Sequence, residues 1–131
     1  VSHATLVVLE FIECINRGDI EGLSRLMSED HELRVFDEVP LRGGVANVDA
    51  WRGYASSFPS YTIYVHRIVE HGDRIAVLGS TTGSHLGLAD DEERAQTLIW
   101  VASVRGGALH AWQLLPDTDE HRRDLGLEAT A

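Results

Sequence analysis

A chain of 131 residues, 44% hydrophobic and 24% charged, can build one ordinary core under a soluble surface and has no room for a second. Its formal net charge of −10 argues against nucleic acid, because the 11 cations are spread from Arg17 to Arg123 instead of forming a basic patch. All 11 are arginine, which removes lysine Schiff-base chemistry and hints at a GC-rich bacterial source.

No apolar run approaches the roughly 18 residues of a membrane span. The opening Val1-Ser2-His3 lacks the basic and apolar regions of a signal peptide. Cys14 is alone and cannot form an internal disulfide, which fits a reducing, cytoplasmic setting.

Ser2 can cap a first helix in which Leu6, Val8, Leu9, Ile12 and Ile15 recur at helical spacing. Gly18 suits its left-handed end, and Asp19 can cap a second short helix through Ile20, Leu23, Leu26 and Met27. A short strand is expected over 31–37, with Leu33 and Val35 alternating against Arg34 and Phe36. After the Arg42-Gly43-Gly44 loop, Asn47 can cap a third helix carrying Trp51 and Tyr54, which Phe58-Pro59-Ser60 ends.

The second half reads as strands. They are expected over 61–70, 74–86, 95–104 and 108–115, with turns at His71-Gly72-Asp73 and Gly106-Gly107 and an acidic, solvated loop at Asp90–Glu93. Helices followed by antiparallel strands predict an α+β domain over 1–131, with 117–131 as a charged tail or short helix. A strongly curved sheet under helices would enclose a cavity for a small ligand.

Five local motifs, in order, resemble the SnoaL-like branch of the nuclear-transport-factor-2-like superfamily. They are Phe11 to Asp19, Trp51 to Pro59, Gly72 to Val77, Gly83-Ser84-His85-Leu86-Gly87 and Gly106 to Trp112, and the likeness covers roughly 6–117. The resemblance implies a cystatin-like cone: N-terminal helices packed on a strongly curved, mainly antiparallel sheet, with a sheet-to-sheet homodimer as the family habit. The family hosts isomerases, cyclases, hydrolases and non-catalytic binders, so activity must come from the site.

Steroid-isomerase relatives use a first-helix tyrosine and a first-strand acid. Here Phe11 and a position near Val35 stand in those places, with Asp37 and Glu38 just beyond. SnoaL-type cyclases pair a histidine with an aspartate on the next strand. His85 matches the histidine, but the aspartate would fall near Ile99, and no Asp or Glu occurs between Glu93 and Asp117.

His85 is therefore the candidate acid/base, expected on the strand face of Ile75, Val77 and Thr81, or else a rim histidine without catalytic duty. Candidate ligand contacts are Phe11, Trp51, Tyr54, Phe58, Ile99, Trp100, His110 and Trp112. Trp51 and Tyr54 are three apart on one helix and equally suit simple core. His110 and Trp112, alternating on one strand, could grip a flat ligand or pack a partner. Arg34, Asp37 and Glu38 read as a surface ion cluster and Cys14 as a small apolar group.

No histidine spacing suits a metal, and nothing calls for a cofactor. The expectation is a pocket for a small apolar molecule in a homodimer, working as a cyclase, isomerase or hydratase on a carbonyl compound. The alternative is a non-catalytic binding or interaction module.

Overall fold

A computed structural model of the chain describes residues 2–128. The first helix, α1 (His3–Arg17), starts where Ser2 accepts the Thr5 amide and stops at Gly18, whose φ of 66° is left-handed. Asp19 caps α2 (Ile20–Leu26) by accepting the Gly22 amide. The apolar stripe of α1 runs through Val8, Phe11, Ile12 and Ile15, an i, i+3, i+4, i+7 set that packs on the sheet. Leu6 and Leu9, expected on that stripe, face outward and are exposed.

Strand β1 (Met27–Val35) follows α2 directly, four residues earlier than the sequence suggests. It ends before Phe36, which turns to a positive φ of 50° and is exposed. After the short β2 (Leu41–Arg42) comes α3 (Gly44–Ser57), capped by Gly43. Asn47 does not cap it. The residue lies inside the first turn, fully buried, and its amide donates to the carbonyls of His31, Leu41 and Gly43. One side chain thus ties α3 to β1 and β2.

Strands β3 (Thr62–His71), β4 (Arg74–Thr82), β5 (Leu98–Arg105) and β6 (Ala108–Pro116) complete a six-stranded sheet in the order β2-β1-β6-β5-β4-β3. Among the described residues only β1 and β6 pair in parallel. Bulges interrupt the register in β1, β3 and at the β5–β6 hairpin, bending the sheet around the helices. Gly79 lets β3 approach β4: a Cβ there would lie 2.2 Å from the Tyr64 carbonyl oxygen.

The concave face carries Ile75, Val77, Trp100, Ala102, Leu109 and Trp112 against α1. The convex face is also covered. Ala76, Leu78, Ile99 and Val101 pack with Leu127, which is 1% exposed. Leu127 follows the last helix, α5 (Asp119–Leu125), which Thr118 caps through the His121 amide. So the stretch expected as a charged tail or short helix forms a helix, and adds a hydrophobic anchor over the strands, held by the Arg122–Asp117 pair at 2.6 Å. Residues 129–131 of that stretch lie outside the described residues. No described helix is long and apolar enough to cross a membrane.

Candidate functional site

A cavity of about 190 Å³ lies between α3 and the concave sheet face. Leu33 and Val35 of β1 and Trp112 and Leu114 of β6 reach it by strand alternation, and Trp100 comes from β5. Trp51 and Tyr54 descend from α3, Tyr61 closes one side, and His85 stands at the mouth. Trp100 and Trp112 stack with ring centroids 6.3 Å apart. The wall is almost wholly apolar; apart from the indole N–H groups, its polar side-chain atoms belong to Tyr54, Tyr61 and His85.

His85 is not on a strand. Gly83, at a left-handed φ of 71°, ends β4 beside the Ser60 carbonyl, where a Cβ would sit 2.6 Å from the oxygen. The chain then loops to α4 (Asp90–Arg94), and His85 is exposed in that loop. The expected face shared with Ile75, Val77 and Thr81 therefore does not exist. What positions the ring is Tyr54: its hydroxyl oxygen lies 3.0 Å from His85 Nδ1 and accepts the His85 backbone N–H at 3.2 Å. Tyr54 and Phe58 also pack edgewise against the imidazole.

Glu93, expected in a solvated loop, is 2% exposed. Its carboxylate accepts the Thr81 hydroxyl and, at 3.4 Å, the Ser84 amide. It has no ion-pair partner among the described residues. An acid thus does stand behind the site, supplied by α4 and not by the strand next to β4. Burial raises the Tyr54 pKa, the His85 N–H opposes this, and the Glu93 charge adds to it. Burial, with Tyr54 and Glu93, pushes Tyr61 up further. Both tyrosines are neutral phenols near pH 7, able to donate hydrogen bonds but unable to serve as bases there.

Of the other expected contacts, Trp51, Tyr54, Trp100 and Trp112 converge on the cavity with His85. Phe11 stands behind it, fully buried against Trp112 at 5.0 Å and Trp51 at 6.4 Å. Phe58 lines a neighbouring cleft of about 270 Å³ that shares Trp51, Tyr54 and Tyr61 with the cavity. Ile99 lies on the convex face beneath Leu127, because it alternates with Trp100.

His110 does not share the face of Trp112. The hairpin register jumps from Ser103–Ala111 to Val104–Leu109, so His110 is the extra residue of a bulge and sits 3.2 Å from Asp30. Arg34 pairs with Glu32 at 2.8 Å, and no ion pair joins it to Asp37 or Glu38 among the described residues. Burial and the Asp19 charge raise the Cys14 thiol pKa, which leaves it unreactive. No group of three or more metal-ligating side chains occurs among the described residues.

No ligand role was expected from the sequence for Leu33, Val35, Ala50, Tyr61 or Leu114 of the wall, or for Glu93 behind it. Leu114 was available from its alternation with Trp112. Glu93 had no signal, since four consecutive acids read as a solvated run.

No curated protein matches the chain. Solved structures match closely in fold. An NTF2-like protein of unknown function from Burkholderia pseudomallei aligns with a TM-score of 0.73 at 20% identity, covering 95% of this chain and 98% of that one. A protein from Sinorhizobium meliloti described as a candidate polyketide cyclase aligns at 0.67 and 20% identity, covering 82% and 92%. An epoxide hydrolase from M. tuberculosis aligns at 0.67 and 15% identity, covering 94% and 89%. At these identities the likeness establishes fold and not chemistry. The family model of the SnoaL-like domain matches residues 8–112. With its curved mixed sheet under N-terminal helices, the chain belongs to the SnoaL-like family of the nuclear-transport-factor-2-like superfamily.

Proposed function

We propose that this protein binds a small apolar molecule in the cavity beneath α3 and presents the Tyr54–His85 pair to its one polar group. The observation that carries this reading is the distribution of polarity. Indole and aliphatic walls supply apolar area, while the joined phenol and imidazole of Tyr54 and His85 stand at the mouth. A carbonyl compound fits that layout, and the family's cyclases and hydrolases give acid/base chemistry at such a group as the reaction class.

A second reading, a non-catalytic carrier or sensor, is favoured by two observations. Among the described residues no carboxylate lines the cavity, and His85, its one imidazole, is exposed at the mouth. A sheet-to-sheet homodimer belongs to either reading. The C-terminal anchor on Ile99 and Val101 restricts the convex area left for it. The buried, unpaired Cys14 supports a cytoplasmic setting.

Native mass spectrometry of protein purified from its own host, with His85→Ala alongside, tests the reading. A retained molecule that the wild type converts and the variant only holds makes this an enzyme. A molecule held unchanged by both makes it a binder. Apolar probes that fail to enter the cavity of either protein overturn both.

A further inference from the structure

We infer that Tyr54 is a positioning residue that holds His85 as its Nε2–H tautomer, so that the cavity mouth offers a hydrogen-bond donor and selects apolar ligands ending in an acceptor oxygen. This rests on the cavity reading above and narrows its ligand class.

The tautomer follows from counting protons at one oxygen. The Tyr54 oxygen accepts the His85 backbone N–H at 3.2 Å, which fixes that oxygen against the 83–89 loop. The phenol still carries its own proton, since burial and the nearby Glu93 charge oppose its loss. The one acceptor within hydrogen-bond distance of that hydroxyl among the described residues is His85 Nδ1, at 3.0 Å. If Nδ1 carried hydrogen instead, it would donate to the oxygen that already accepts the backbone N–H, and the phenol proton would have no protein acceptor among the described residues.

A half-buried phenol is better satisfied by donating to the acceptor within reach than by leaving its proton without a protein partner, so the phenol donates to Nδ1. A neutral imidazole that accepts at Nδ1 carries its hydrogen at Nε2. Nε2 has no partner among the described residues, and His85 lines the mouth, so that N–H is free for a ligand.

The chemistry follows from the tautomer. An Nε2–H polarises a ketone, ester or carboxylate oxygen and cannot take a proton from carbon without first losing its own. The neutral site is therefore a donor site. Glu93 supports the geometry at one remove by holding Ser84, the residue before His85.

Two measurements on the full chain test this. Long-range proton–nitrogen NMR of the histidine rings, without ligand, is expected to show His85 Nδ1 as an unprotonated acceptor and Nε2 as N–H. In Tyr54→Phe, which removes only the hydroxyl, both tautomers should become populated. An Nδ1–H tautomer in the wild type, or an unchanged tautomer in Tyr54→Phe, overturns the role of Tyr54.

Second, acetophenone and its shape match α-methylstyrene, which replaces C=O by C=CH₂, are titrated against tryptophan fluorescence. The wild type should prefer the ketone about tenfold, one hydrogen bond's worth of selectivity. His85→Phe should abolish the preference. Equal affinity for the two in the wild type overturns the ligand assignment. If neither binds, the cavity reading itself falls along with that assignment, and the ligand-free NMR still decides the role of Tyr54.

Discussion

The Glu93 carboxylate accepts the Ser84 backbone N–H at 3.4 Å, joining α4 to the loop that carries His85. The same carboxylate accepts the buried Thr81 hydroxyl. Glu93→Ala would leave that hydroxyl unpartnered and is expected to cost about 2 kcal/mol in urea unfolding. It should also speed amide exchange at Ser84 and His85. Glu93→Gln keeps an acceptor oxygen and removes a buried charge without a counter-ion, so it should cost under about 1 kcal/mol. An alanine variant with unchanged stability and exchange would remove Glu93 from the account of the loop.

Leu33 lines the cavity from β1 beside Trp112, its register partner on β6, beneath Trp51 of α3. Leu33→Phe should fill part of the 190 Å³ and reduce binding of an apolar aromatic probe at least tenfold. Because the added ring enters open space, the stability change should stay within about 1.5 kcal/mol. Titrating a fluorescent probe alongside urea unfolding checks both numbers. Unaltered probe affinity would place the binding site elsewhere, for example in the cleft beside Phe58.

Leu127 anchors the chain's C-terminal stretch on Ile99 and Val101. Leu127→Ala should destabilise the fold by about 2–4 kcal/mol, the range for truncating a buried leucine. It should also increase binding of a dye specific for exposed apolar surface, since β4 and β5 would lose their convex cover. A variant as stable as the wild type would mean that the C-terminal stretch contributes nothing to the core.

His31 is fully buried, and its Nδ1 donates to the Leu109 carbonyl at 2.7 Å. Burial holds its pKa below the ordinary histidine value. The Leu109 carbonyl opposes that shift, His110 adds to it, and the Asp30 and Glu32 charges oppose it. Unfolded histidine titrates near pH ~6.5, so below that the unfolded chain gains a proton that the folded chain resists. Stability from neutral His31 is fully present above that pH and is lost as pH falls toward the folded value. Urea unfolding at pH 7.5 and 5.5 should show this loss, and His31→Gln should flatten the slope. Equal slopes in the two proteins would assign the pH dependence to other groups.

Much of the fold was written locally. Ser2, Gly18 and Asp19 mark the helical hairpin through caps that act within a few residues, and each does so in the structure. Leu33 and Val35, or Trp100 and Ala102, find the concave face because alternation survives wherever a strand runs without a bulge. The same rule removes Ile99, which the resemblance suggests: it is adjacent to Trp100 and faces the other way.

What the tertiary structure decided are contacts between residues far apart in the chain. Tyr54 and His85 are 31 residues apart, and their bond depends on Gly83 ending β4 early. One extra residue at His110 reverses the parity that alternation predicts. Glu93 and Leu127 sit in stretches whose composition reads as solvated, and both are buried because α4 and α5 fold back onto the sheet. Caps and periods record the preference of a segment for its own conformation. They carry no information about which distant surface will exclude water from it, and that is what places the site.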